Sequence, residues 1–399
     1  MDRSRPVSAD ERRARLARRH RLSPDHRAAG VEDAADAVVA LHGTDAVGLH
    51  LSVRARTRGT VPDDLDAALH HRRTLVRQMA MRRTIWVVPR HRLGAVLRGV
   101  SARVAEAERR RLVAEVERQG VRSDGAAWLR AATEAVAGHL ADGREATTIE
   151  LRDALPVLVG SLTTGVGRTW EARQGLTARV LTVMWADGQV VRATNGGDWW
   201  TSRPRWARTE AWLGGPVEQP PEDDARRELV RAWLQAFGPG TEDDLVWWFG
   251  TTRRAVRQAL ASLATATVDL DGRVGYLLAD DDEPPPTAEP WAALLGPLDP
   301  TTMGWRERSW YLGPHGPRLF DSVGNGGPTV WWDGRIVGGW WQDDAGDVVV
   351  ALLEDVGADA RAAIETEAAA VTAWFGGRRV LPRRPSPLAA ERAGRAGPG

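Results

Sequence analysis

The stretch Val38-Val39-Ala40-Leu41-His42-Gly43-Thr44-Asp45 decides how the chain begins to fold. Apolar residues at Val31, Ala34, Ala35, Val38 and Leu41 recur at helical spacing, so a helix over 31–41 is expected. Gly43 ends such a helix at low cost because it tolerates positive φ. Thr44 or Asp45 can then cap a following helix from Ala46 to Arg56. His42, Thr44 and Asp45 would share one tight turn. Two readings stay open there: a helix-turn-helix corner with a cap, or a catalytic corner.

Ser8-Ala9-Asp10-Glu11 reads as a capping box that opens an arginine-studded helix reaching Arg19. Val61-Pro62-Asp63-Asp64-Leu65 begins a fourth helix, with proline near its start. Arg72 to Arg77 and Met81 to Pro89 then read as two strands of a ribbon, the second β-branched and stopped by Pro89. Helices followed by a ribbon make a winged helix, assigned to residues 1–100. Residues 101–215 repeat the pattern: a long charged connector over Ser101 to Gly120, helices over Asp124 to Leu140 and Arg173 to Ala186, and a hairpin around Asn195-Gly196-Gly197-Asp198. Residues 216–279 repeat it more cleanly, ending in the hairpin Val268 to Leu277. Asp280 to Pro286 lie in an acidic, proline-rich linker over 280–290. Residues 291–399 are β-rich, with one helix from Ala358 to Phe375 and a Pro/Arg/Ala/Gly tail from Arg383 that frays at its end. The expected class is α+β, mainly α with β-wings: tandem winged helices followed by a barrel-like β-rich domain.

The charge is unevenly distributed. The whole chain is close to neutral at +1, yet residues 1–122 hold 26 Arg against 15 Asp and Glu. A basic first domain on a balanced chain points to a polyanionic partner, nucleic acid before solvated helix faces. Arg54, Arg56, Arg72, Arg73, Arg77, Arg82 and Arg83 are the expected phosphate contacts. The chain has no Cys, which excludes disulfides and thiolate metal sites and fits a reducing compartment. No apolar run approaches a bilayer span, so a soluble, cytoplasmic, nucleoid-associated monomer without membrane contact is expected.

All 54 basic residues are arginine. With no lysine, side-chain imine chemistry and the Walker phosphate loop are both excluded, and the N-terminal amine is the remaining primary amine. The nine His show no metal-ligand spacing, and no metal or cofactor is implied. His20, His26 and His50 read as surface or structural, with His50 the nearest rival to His42. The Trp pairs 199–200, 247–248, 331–332 and 340–341 put neighbours on diverging faces, one toward the core and one toward a surface or a base.

Several stretches together resemble one family, the bacterial winged-helix DNA glycosylases that excise alkylated bases and unhook interstrand crosslinks, including self-resistance enzymes of antibiotic producers. They are Leu41-His42-Gly43-Thr44, Met81 to Pro89, Leu294-Leu295-Gly296-Pro297-Leu298-Asp299-Pro300, and the end from Gly334 through Pro382. The resemblance implies double-stranded, damaged DNA as partner and hydrolysis of an N-glycosidic bond in base excision repair. It also implies a lesion held without full base flipping. Members of the family carry Gln-x-Gln or Gln-x-Asp at the corner, which orients the attacking water and stabilises the sugar cation. This chain has His42 and Thr44 there, with Asp45 just beyond. His42 would orient or activate water, Thr44 would assist, and Asp45 would stabilise the cation or only cap its helix. The missing lysine makes a monofunctional glycosylase the expectation. The alternative is a non-catalytic DNA-binding regulator or lesion sensor.

Overall fold

The structure, a computed structural model, describes residues 5–165, 167, 171–286, 289–380 and 386–395. A short strand β1 (Arg5–Pro6) leads into helix α1 (Ala9–Arg19), where Ser8 Oγ accepts from the Glu11 N–H. The reciprocal half of the capping box does not form, because the Glu11 carboxylate is taken by Arg5 and Arg15. Helix α2 (Val31–Asp36) stops five residues short of the expected end. The chain turns through Val39, at φ 67°, and Leu41–His42 form strand β2 instead. An apolar run of this length fits a helix or a strand buried on both faces equally well, and here burial between neighbours selects the strand. Gly43 is therefore no helix cap. Its N–H donates to the Ile85 carbonyl, and a Cβ there would stand 3.1 Å from Ile85 Cγ2, so close approach of the strands is what requires glycine.

Helix α3 (Ala46–Arg54) follows, then α4 (Pro62–Asp66), which runs into one π-turn at Ala67–His71. Strands β3 (Leu75–Met79) and β4 (Ile85–Pro89) form the expected ribbon, and β2 joins it in the order β2-β4-β3. Helices α5 (Leu93–Val96) and α6 (Ala102–Arg118) lead to α7 (Gly125–His139) and α8 (Thr148–Ala154), the last opened by a full Thr147–Glu150 capping box. The expected helix from Arg173 is shorter. Residues 172–175 pair as β6 (Ala172–Gly175) with β5 (Ser161–Thr164), and α9 spans Leu176–Ala186. Strands β7 (Val190–Asn195) and β8 (Pro204–Arg208) close this segment, with the short α10 (Thr209–Leu213) after them.

Helix α11 (Glu222–Phe237), helices α12 (Glu242–Phe249) and α13 (Arg253–Ala261), and the hairpin β10 (Thr265–Leu270)–β11 (Arg273–Leu278) follow the spacing read from the sequence, while Gly240–Thr241, before the Thr241-capped α12, also form a short strand β9. The hairpin gains two strands that sequence reading did not assign to it. β1 adds in parallel and β9 antiparallel, giving β1-β10-β11-β9. The acidic linker is likewise tethered: Arg15 and Arg19 ion-pair with Asp281, and Arg5 with Asp282. Residues 287 and 288 of that linker lie outside the described residues.

The last segment holds β12 (Ala292–Leu295), two short helices α14 (Ser309–Leu312) and α15 (Gly316–Leu319), then β13 (Thr329–Trp332), β14 (Arg335–Gln342), β15 (Val348–Leu352) and α16 (Gly357–Phe375). The barrel-like expectation is not met. The strands form an open four-stranded antiparallel sheet, β12-β13-β14-β15, with α16 laid against it. A sheet of four strands reaches closure only with a much larger stagger, and a packed helix covers it instead. The tail carries α17 (Pro387–Arg395), whose Leu388 is fully buried. Residues 381–385 and 396–399, where fraying was expected, lie outside the described residues.

One apolar core runs through residues of the first, third and last segments, including Trp86, Trp233, Trp248, Trp291 and Trp331. Residues between Leu112 and Trp206 enclose a second. A buried polar relay joins the first core. Arg56 grips Asp299 through two hydrogen bonds, at 2.8 and 2.7 Å, and both side chains are fully buried. Ser52 donates to the same carboxylate at 2.7 Å, and Arg56 also donates to Thr301 Oγ1 at 2.7 Å. The Ala236 carbonyl can only accept, so His20 donates to it from Nε2 and accepts the Thr301 hydroxyl at Nδ1. α1, α3, α11 and the 299–301 loop are thereby bound in one chain of bonds.

Asp299→Ala would leave a buried guanidinium without its partner and cost about 3–5 kcal/mol, read as a lower midpoint in urea unfolding. Acid acts through the imidazoles. Burial, aided by the nearby Arg56 charge, holds His20 down to about 3, and burial with Arg82 holds His42 to about 3. The unfolded chain therefore binds protons below about pH 6.5 that the fold excludes. Stability is full above that pH and falls as pH drops toward 3, by about 1.4 kcal/mol per pH unit for each of these two groups. A stability series that rose between pH 6 and 4 would contradict this.

Candidate active site

The corner read from the sequence opens onto a cavity of about 640 Å³. His42, Thr44, Asp45 and Thr84 line one side, and Pro297, Leu298, Asp321, Asn325 and Gly326 face them from the last segment. β2 sets His42 against Trp86 of β4, its register partner, with ring centroids 5.0 Å apart. The ring is 6% exposed. Burial foremost, then the Arg82 charge, keeps it neutral at any pH above about 3. The Thr44 N–H approaches Nδ1 at 3.5 Å, a long contact that favours a proton on Nε2. Nε2 has no protein partner among the described residues.

Thr44 is exposed, and its hydroxyl bonds to no described residue. Asp45 caps α3: its Oδ1 accepts from the Gly48 N–H at 2.7 Å. The cap uses one carboxylate oxygen and leaves Oδ2 without a described partner. Gly48 in turn lets α3 lie flat on the opposite wall, since a Cβ there would stand 2.4 Å from the Pro297 carbonyl oxygen. The first helix after the corner and the Pro297 loop are thus in backbone contact, and Arg56–Asp299 locks them beyond the helix end, about two turns further along.

Asp321 and Asn325 were not singled out from the sequence. Asp321 accepts from the Val323 and Asn325 N–H groups and from Asn325 Nδ2, at 2.9 to 3.0 Å. Its spacing to Asn325 signals a tight Asx turn, and nothing local says that this turn faces residue 42 across the molecule. Together the walls offer a neutral imidazole, a hydroxyl and carboxylates around a space large enough for a nucleoside. Such a set can orient a water and stabilise positive charge. Among the described residues no group of three or more His, Asp or Glu is arranged to hold a metal.

The seven arginines expected on phosphates separate into four groups. Arg56 is fully buried on Asp299 and cannot reach a phosphate. Arg54 bonds Glu367 at 2.6 Å, Arg73 donates to the Trp212 carbonyl while stacked on its ring, and Arg77 is half-buried beside Asp66. These three occupy contacts inside the protein rather than an open face. Arg72 and Arg83 are exposed, each paired with one carboxylate, Glu32 and Glu108. Arg82 and Arg83 sit not on a strand but in the β3–β4 turn, both at positive φ. Arg82 has no carboxylate partner among the described residues.

The rival histidine turns away. His50 is 2% exposed, bonds the Ala46 carbonyl and packs on Trp199 at 4.8 Å. That also removes Trp199 as a stacking residue at a hairpin tip. Each of the four Trp pairs has one member buried and one partly exposed, Trp247 being partly exposed where Trp248 is enclosed. No helix among the described residues is long and apolar enough to cross a membrane.

Comparison with known proteins bears on the fold and the family. A solved structure, the DNA glycosylase AlkZ of Streptomyces sahachiroi, superposes with a TM-score of 0.74 at 22% identity, covering 94% of this chain and 98% of that one. At that identity it speaks for the fold. A curated relative, an interstrand DNA cross-link repair glycosylase of Streptomyces sahachiroi, is 28% identical over 163 residues. That match spans 39% of this chain and 44% of the relative's own length. The family described as DNA glycosylase AlkZ-like matches residues 35–374, from α2 to the end of α16 and across both walls of the cavity. The chain belongs to the AlkZ-like DNA glycosylase family.

Proposed function

We propose that this protein is a monofunctional DNA glycosylase that hydrolyses the N-glycosidic bond of alkylated or crosslinked purines in duplex DNA. The observation that carries the reading is the cavity in which His42, Thr44 and Asp45 meet Asp321 across the chain. A purine alkylated at N3 or N7 is cationic. Breaking its C1′–N9 bond sends the electron pair to the base, which leaves neutral, and puts the positive charge on the sugar. The protein then has two tasks: placing a water and holding a cation.

His42 is suited to the first task as a hydrogen-bond donor. An imidazole held near 3 is a weak proton acceptor, so it orients the water rather than deprotonating it. Thr44 supplies a second contact to that water. Asp45, which caps α3 through one carboxylate oxygen, supplies charge for the sugar cation and accepts the water's proton as the C1′–O bond forms. With no lysine in the chain, the product is an abasic site rather than a cleaved strand. Arg82 and Arg83, on the turn beside Thr84, are the arginines best placed for the backbone, with Arg72 on the same ribbon's base. The winged-helix description of the three helix-and-hairpin segments belongs to this same proposal.

A second reading, a non-catalytic DNA-binding regulator or lesion sensor, draws on one observation. His42 and Thr44 stand where glutamine-based motifs act in the family this chain resembles, and a buried neutral histidine is a modest activator of water.

Base release from duplex DNA carrying N7-methylguanine or a purine crosslink separates the two. Wild type is expected to release base and leave strands intact until alkali is added. His42→Ala and Asp45→Asn should each lower the single-turnover rate by about 10²-fold or more, the scale of one positioned group. The rate should show no inflection near pH 6.5, because His42 is already neutral there. Tight binding with no release from any alkylated substrate would establish the regulator.

A further inference from the structure

Trp247 of α12 projects partly exposed beside the buried Trp248. Two guanidinium groups meet its ring. Arg82 Cζ lies 4.0 Å from the ring centroid and Arg308 Cζ 5.0 Å, while Arg308 also lies 4.8 Å from the Phe320 ring. The parts come from three places: the β3–β4 turn, α12, and the residue before α14. Arg12 over Trp310 and Arg73 over Trp212 are single cations on their rings, and among the described residues no other ring takes two arginines in this way.

The pair is unbalanced in charge. Neither Arg82 nor Arg308 ion-pairs with a carboxylate among the described residues. Arg308 Nε donates to the Trp305 carbonyl at 2.9 Å, and Arg82 Nε is buried with no hydrogen-bond partner. Burial, and then the charge of Arg308, push Arg82 down to about 10. Two like charges brought together out of water repel, and an aromatic face offsets only part of that cost. An anion between them would offset the rest and satisfy the free N–H groups.

The place matters as much as the charge. Thr84, two residues after Arg82, lines the His42 cavity, and so does Asp321, the neighbour of Phe320. The chain thus runs directly from the Trp247 platform to that cavity, and the Arg82 charge is felt at His42, so an anion held on the platform would lie near it. We propose that Arg82, Trp247 and Arg308 form a clamp for one phosphodiester of the DNA strand whose damaged nucleotide occupies the His42 cavity. The proposal deepens the glycosylase reading for the cavity's occupant, while the phosphate contact itself stands on the two cations and the ring. Trp247 acts as the platform that holds both guanidinium groups in place, and Arg308 joins the last segment to DNA contact.

The test is anisotropy of a labelled, undamaged duplex over a series of KCl concentrations. Arg82→Gln and Arg308→Gln should each reduce the slope of log K against log salt by about one, and the double variant by about two. Arg308→Lys, which keeps the charge, should keep the slope. Trp247→Leu should weaken binding several-fold with the slope intact. Near-ultraviolet circular dichroism confirms that each variant is folded. Unchanged slopes in both folded glutamine variants would overturn the clamp. So would a stabilisation by inorganic phosphate that both variants lose while their duplex slopes stay at the wild-type value, since that marks a free-phosphate site. Because the duplex is undamaged, a clamp that passes this test stands even if no base is released, in which case the glycosylase reading alone has failed.

Discussion

A fully buried carboxylate with four donors holds the two halves of the cavity at a fixed distance. Asp299 receives Arg56 twice, Ser52 and the Thr301 N–H, and its loop continues into the wall formed by Pro297 and Leu298. Burial by itself would raise the carboxyl's pKa; the Arg56 charge and these donors outweigh it and hold the group below its usual range. Isolated buried ion pairs contribute little net stability, because desolvation cancels most of the attraction. This one serves registry. α3 begins at the Asp45 cap, and its last turn reaches Asp299 through Ser52 and, two residues past its end, Arg56, so fixing its far end to the opposite wall also fixes where the corner points.

The same helix explains why a capping role and a chemical role coexist at Asp45. A cap uses one carboxylate oxygen and orients the group along the helix axis. The other oxygen has no described partner and stays available. His42 is positioned by different means, the register of β2 on β4 and the face of Trp86. Corner residues are thus held by a sheet on one side and a helix on the other, which suits a site that must keep its geometry within tenths of an ångström.

Residue patterns exposed the third helix-and-hairpin segment almost element by element, since capped amphipathic helices and an Asp271-Gly272 turn carry local signals. They were silent where structure depends on distant partners. Leu41 and His42 form a strand only because β4 is there to pair with. Arginine was the least legible residue type. Arg56, Arg15 and Arg73 look alike in sequence, yet the first is sealed on Asp299, the second on Glu11 and Asp281, and the third on Trp212. A long cation on a near-neutral chain reports its partner's position only after folding. Asp321 was invisible for the same reason: its turn is local, and its opposite wall lies far away in sequence.

The parallel pairing of β1 with β10 joins Arg5 to Val268. On a ribosome adding about 5–20 residues per second, the opening strand waits roughly tens of seconds for its neighbour to emerge. Meanwhile α1 lacks Asp281, His20 lacks Ala236, and Leu16 and Ala17 lack the surface that covers them. Such long-range closure makes the leading segment a late arrival in assembly, and a nascent chain of this kind leaves a basic helix half-finished until synthesis has passed Asp281.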